Sequence, residues 1–265
     1  MKFFLFILII FVTALDVQAQ FARTDRMMIR RMLVLRKAVE PLYRKPSAKE
    51  LKAIAPSAEL RNKYAEFLRQ PNTGLTKLIN DRGCSENTKV VVVSDECLQY
   101  TMPGSGSSFS FRTQNYRIPR LADITFTNNS FQATGAILHG IFVKLGDVPL
   151  ESVTLETESM KYLVDFQPET DYEKARQIDL ELSEGVEQNG FLYRRGFYAV
   201  ENTTYALRSI AYGGKFYRAV QGVTYNEFDF DRRKDVIVIF PSSKKIRRAT
   251  SRFFGNCSGK KIRRM

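Results

Sequence analysis

Histidine, cysteine and long apolar runs are all scarce in this chain, and each scarcity narrows what the protein does. The one histidine among 265 residues is His139, inside the apolar run ILHGIFV. A lone histidine in an apolar strand is more often a packed or hydrogen-bonded core group than an acid–base catalyst. Zinc needs three or four nitrogen, sulfur or oxygen ligands, so one histidine and three cysteines predict neither a metal centre nor a cofactor. A serine nucleophile on a sharp turn is also missing: the nearest match, PGSGSSF from Pro103 to Phe109, lacks the G-x-S-x-G spacing and has the composition of a loop.

After Phe21 no apolar run approaches the roughly 20 residues that span a bilayer. The run before it, MKFFLFILIIFVTALDVQAQ, carries one positive charge at Lys2, an apolar stretch from Phe3 to Leu15, and small residues at Val17 and Ala19. That is the three-part layout of a secretory signal peptide over residues 1–19. It predicts cleavage after Ala19, a mature chain beginning at Gln20 with no transmembrane span, and a secreted or periplasmic location. Export makes the three cysteines disulfide candidates before nucleophiles or metal ligands. Cys84 and Cys97 flank SENTKVVVVSDE and are the favoured pair; the rival pairings tie Cys257 to one or the other.

Acidic residues are absent from the C-terminal 25 positions, which hold nine basic ones. The net charge of +13 is therefore uneven: residues 20–83 have 15 basic and 6 acidic side chains, residues 84–240 have 16 and 21. Within the basic end the pentapeptide Lys244-Lys245-Ile246-Arg247-Arg248 returns unchanged as Lys260-Lys261-Ile262-Arg263-Arg264, with Phe253 and Phe254 between the copies.

What is plentiful is periodicity. From Phe21 to about Leu78 apolar residues recur at helical spacing, as in Met28, Met32, Leu35, Val39 and Leu42, with Arg23, Arg26, Arg30 and Lys37 opposite. Pro41, Pro46 and Pro56 break the run, Ser47 with Glu50 forms a capping box, and three short helices are predicted over 20–83. Beyond Lys89 the period changes to two, in about ten short runs rich in β-branched and aromatic residues, among them DITFT, ILHGIFVKL, SVTLET, IDLEL, YALRSIAY, NEFDFD and DVIVIF. The predicted class is α+β: short N-terminal helices, a mainly antiparallel β-sandwich or barrel over 84–241, and a basic tail over 242–265.

Three sets of alternating carboxylates stand in those runs: Glu156 with Glu158, Asp179 with Glu181, and Glu227 with Asp229 and Asp231. On strands each set shares one solvated face, and an acid–base pair or a calcium site is the functional alternative. Asn128, Asn202 and Asn256 fit the N-x-[ST] acceptor rule. From Tyr193 to Tyr225, tyrosines alternate with Arg194, Arg195, Arg208, Lys215 and Arg218, a mixture that suits strand residues with polar tips better than a nucleic-acid platform.

The expected protein is a non-enzymatic exported one that associates with an anionic membrane surface or acidic polysaccharide, with no specific nucleic acid. The expected anion-binding groups are Lys244, Lys245, Arg247, Arg248, Lys260, Lys261, Arg263 and Arg264, acting as two linked polycations. The alternative is an extracytoplasmic hydrolase using the paired carboxylates, which must then converge in a pocket.

Overall fold

The structure is a computed structural model that describes residues 27–34, 48, 52, 54–80, 90–92, 101–103, 106–220, 222–246 and 250–260. The signal segment, Ser47 with Glu50, Cys84, Cys97, Arg247, Arg248, Lys261, Arg263 and Arg264 lie outside those residues. The chain divides into two compact units, Met1–Pro41 with Tyr217–Asn226, and Leu42–Phe216 with Glu227–Met265. In the first unit residues 27–34 are helical, and Met28 and Met32 on the apolar stripe are exposed.

Among the described residues sixteen strands follow one another: β1 Thr73–Ile79, β2 Val90–Val92, β3 Thr101–Pro103, β4 Ser108–Ser110, β5 Asn115–Tyr116, β6 Ile124–Thr127, β7 Ser130–Ala133, β8 Leu138–Gly146, β9 Val186–Gln188, β10 Phe191–Arg194, β11 Gly196–Tyr198, β12 Thr203–Ala211, β13 Tyr217–Val220, β14 Val223–Asn226, β15 Asp235–Ile246 and β16 Thr250–Lys260. Three further helices accompany them: α1 Ala58–Lys63, α2 Lys161–Asp165 and α3 Tyr172–Glu184. All their pairings are antiparallel, so the α+β class with antiparallel sheets is what the chain adopts.

The second unit contains a seven-stranded sheet in the order β1-β16-β15-β12-β8-β10-β9 and a five-stranded sheet in the order β11-β7-β6-β4-β5. Side chains two apart on a strand share a face, and the central strands of the large sheet divide accordingly. Phe142, Tyr205, Leu207, Val236, Val238 and Phe240 join Phe109, Phe111, Ile124, Phe126 and Phe131 of the small-sheet region in one core. The alternate residues, Ile141, Val143, Ala206, Ile210, Ile237 and Ile239, pack with Leu163 of α2 and Leu182 of α3 in a second core. Both faces of β12 are thereby covered, and all nine of its residues are buried. Gly140 marks a close approach between the sheets: a Cβ there would stand 2.0 Å from that of Ala133 on β7.

Five segments depart from the sequence expectation. Thr73–Ile79, within the segment read as helical, is a strand whose Leu78 and Ile79 enter the first core. IDLEL belongs to α3, because Asp171 caps the helix by accepting from the Lys174 amide at 3.0 Å, and Ile178 and Leu182 pack in the second core with Ala175 buried on the same helical stripe. Glu227–Phe230 is a single 3-10 turn, and SVTLET is a loop between two such turns. Ser108 and Phe109, at the end of the PGSGSSF stretch read as a loop, begin a fully buried strand, Ser108–Ser110. At residue 242 the chain does not change character: β15 runs on to Ile246 and β16 follows it back.

Candidate functional site

The three carboxylate sets are scattered rather than gathered. Glu156 and Glu158 are exposed around the 3-10 turn after Thr157, and Glu181 is exposed on α3. Asp179, on the same helix, accepts from Arg195 Nη1 at 2.6 Å, while its Oδ1 is buried with no partner. Glu227 is fully buried and takes the Arg120 Nε–H between both oxygens at 2.8 and 2.7 Å. Asp229 is exposed. Asp231 accepts from Arg112 Nη1 at 2.5 Å and Arg233 Nη1 at 2.9 Å. The strand reading of these acids is therefore corrected: a helix and a 3-10 turn put neighbouring acids in different surroundings, and the buried ones are matched to arginines.

The densest polar cluster in the second unit surrounds Asp123. Its carboxylate accepts from Arg112 Nε at 2.6 Å, the Arg112 amide at 3.2 Å, Ser110 Oγ at 3.1 Å and Ser209 Oγ at 2.5 Å. Ser209 stands on β12 and Ser110 on β4, so one buried anion ties the two sheets together. Burial opposes the charge on Arg112, but Asp123 and Asp231 outweigh it and hold the guanidinium pKa above its ordinary value. Burial, reinforced by the charge of Arg112, pushes Arg233 down. Two cations and two anions balance here. Every oxygen of Asp123 is used in binding the fold, which leaves none directed at a substrate.

His139 on β8 is buried, with Nε2 2.8 Å from the Ala175 carbonyl and Nδ1 3.2 Å from the Tyr212 hydroxyl. The tautomer that satisfies both is neutral, donating from Nε2 and accepting at Nδ1. Burial lowers its pKa, against the opposing pull of Asp179 and the Ala175 carbonyl. Tyr212 is pushed up to about 12, chiefly by burial. Among the described residues no group of three His, Cys, Asp or Glu side chains is arranged to hold a metal ion, and no described helix is long and apolar enough to cross a membrane.

The tyrosine–arginine mixture is divided between surface and core: Tyr198, Lys215, Tyr217 and Arg218 are exposed. Tyr193, Tyr205 and Tyr212 are buried, and Arg208 is consumed by Asp235 at 2.6 Å and by the carbonyls of Leu163 and Phe166 at 2.6 and 2.8 Å, capping α2 onto the sheet. Comparison with known proteins adds no relative: no family model matches the chain, and no curated protein or solved structure is significantly similar to it.

Two features remain as candidates for binding. The first is the placing of the basic pentapeptides. Lys244, Lys245 and Ile246 end β15, where Ile246 stands opposite Thr250; Lys260 ends β16, opposite Asp235. The described residues of the two copies, Lys244–Ile246 and Lys260, thus lie at opposite ends of β16. At about 3.4 Å per residue, ten residue steps separate them by about 34 Å. Phe253 and Phe254 face Thr76 and Leu75 of β1 in register, in the interior of a sheet rather than on a free tail. Asn256 is in the same strand, whereas Asn128 and Asn202 occupy exposed turns with φ of 47° and 52°.

The second feature is a cavity of about 400 Å³ beside the sheet edges. Residues 54–56 before α1, the first four residues of β1, and Phe109, Phe111, Gln114, Asn115 and Tyr116 line it. Sequence reasoning missed it. Its parts come from three separate stretches of chain, and only the pairing of β1 with β16 at one edge and of β5 with β4 at the other brings them together.

Proposed function

We propose that the chain is an exported, non-enzymatic binding protein, built on a two-sheet sandwich, that holds an extended anionic partner through its two basic pentapeptides. The observation that supports this reading is that the described residues of the copies, Lys244–Ile246 and Lys260, stand at opposite ends of β16. Each copy has four positive charges. Beyond a Debye length of about 8 Å at physiological salt, exposed charges scarcely feel one another. Two clusters about 34 Å apart therefore keep their own counterion atmospheres and act as two sites. A polyanion long enough to reach both gains from effective concentration; a short anion binds each singly. Lys244, Lys245, Arg247 and Arg248 form one site and Lys260, Lys261, Arg263 and Arg264 the other. The hydrolase alternative has no comparable support, since its carboxylates do not converge.

The test uses charge-neutral variants that keep the strands. In one, the four basic residues of the first copy become Gln; in another, those of the second; in a third, both. Binding is measured to a long sulfated polysaccharide, to a sulfated disaccharide and to anionic vesicles, at low and physiological salt. The expected result is that each single-copy variant loses tenfold or more on the long polymer and little on the disaccharide, with affinity falling steeply as salt rises. Equal affinity of all variants for the polymer and the vesicles would end the proposal; stronger retention on vesicles than on polymer would make a membrane surface the partner.

A further inference from the structure

We propose that the cavity along the outer edge of β1 is a binding site for a small uncharged ligand with an apolar body. Four observations lead there. The first is charge. None of the thirteen described lining residues is charged, in a chain where 26% of residues are. A ligand charge taken into such a site would be desolvated with nothing to pair it, at a cost of several kcal/mol, so the occupant is neutral. The second is size and lining. About 400 Å³ lies within the roughly 300–1,000 Å³ of small-ligand sites, which combine apolar walls with a few placed polar groups. Here Ile54, Leu75, Phe109 and Phe111 supply the walls, and the carboxamides of Asn72, Gln114 and Asn115 with the Thr76 hydroxyl supply neutral donors and acceptors.

The third is that the walls are held by contacts of their own. Tyr116 Oη donates to the Lys77 carbonyl of β1 at 2.6 Å, bridging from β5 across to the other sheet. Thr73 Oγ1 donates to the carbonyls of Gln70 and Phe67 at 2.8 and 3.0 Å. The rings of Phe111 and Tyr116 meet that of Phe109 edge-on at 5.4 and 5.3 Å. A cavity propped in this way does not close by relaxation of its side chains. The same three rings are only 7–9% exposed, packed against one another rather than open to solvent.

The fourth is Gly74. It lines the cavity as the second residue of β1, yet a Cβ there would meet no atom within 4 Å, and its φ is not in the left-handed region. Neither crowding nor backbone conformation calls for glycine. Glycine inside a strand weakens it and marks places where a ligand or another backbone comes close. An occupant of the cavity accounts for the missing side chain.

The experiment is a fluorescence titration of the full mature chain with the neutral probe N-phenyl-1-naphthylamine, followed by displacement with 1-decanol and with decanoate at physiological salt. The expected result is saturable one-site binding, displacement by the alcohol at a concentration tenfold or more below that of the carboxylate, and a loss of probe affinity of tenfold or more in Gly74→Leu with the melting midpoint unchanged or raised. Thr76→Phe narrows the same cavity from another β1 position and serves as a second variant should the first fail to fold. The proposal is overturned by an absence of saturable binding in the wild type, by decanoate displacing as well as decanol, or by folded variants that bind the probe within twofold of wild type. Basic-pentapeptide variants retain probe binding, so this outcome and that of the polyanion test are read separately.

Discussion

His139 carries the clearest consequence of a single residue. Its ring is buried between the Ala175 carbonyl and the Tyr212 hydroxyl, satisfied only as the neutral form, and burial holds its pKa below the ordinary 6.5. The charged groups acting on it are Asp179, which favours protonation, and Arg195, which opposes it. As pH falls through 6.5 the unfolded chain takes up the proton first, so the unfolded state is favoured and stability drops; above 6.5 the contribution is complete. No other histidine exists to blur the measurement. In urea unfolding between about pH 7 and about pH 5.5, His139→Gln is expected to lose stability less steeply than the wild type, since the amide keeps a donor and an acceptor but does not titrate. Parallel slopes would mean that the ring titrates in the fold as it does in the open chain.

At the scale of elements, α3 exposes the ambiguity of short alternating runs. In IDLEL a strand would send Ile178, Leu180 and Leu182 to one face; on the helix Leu182 is fully buried while Leu180 is 53% exposed. Leu182→Ala should therefore cost about 2–5 kcal/mol, and Leu180→Ala no more than about 0.5 kcal/mol, in the same urea assay. Similar costs at both positions would restore the strand. The helix signal was present in the sequence, in the cap at Asp171 and the Ala175, Ile178, Leu182 stripe, but period two and period 3.6 overlap over five residues. Where a run is long and bounded by turns, as in ILHGIFVKL and DVIVIF, the strand was legible. The acids of NEFDFD were not, because Glu227 is buried by its match to Arg120, 107 residues away, and no local pattern carries such a partner. The cavity was illegible for the same reason, while the repeated pentapeptide was plain to read and only its spacing needed the fold.

At the scale of the whole molecule, β16 joins what the sequence keeps farthest apart. It pairs with β1 along seven positions, from Thr73↔Asn256 to Ile79↔Thr250, and with β15 on its other side. Among the described residues it is the one strand neighbour of β1 in the sheet, and β1 brings Leu78 and Ile79, at 0% and 2% exposure, into the first core. Ending the chain at Ser243 removes both basic pentapeptides, and it also strips β1 of its partner. If β1 then leaves the sheet, Leu78 and Ile79 alone forfeit roughly 3–6 kcal/mol of burial, enough to lower the melting midpoint by about 6 °C or more in a chain of this size. The chain ending at Ser243 is expected to melt early and to expose apolar surface, whereas the variant with all eight basic residues changed to Gln keeps the wild-type midpoint. Thermal unfolding of the two, side by side, separates the strand's structural contribution from the charges it spaces. A truncated chain that melts with the wild type would show that β16 does not hold β1 in the sheet, and the span of about 34 Å on which the proposed two-site binding rests would lose its support.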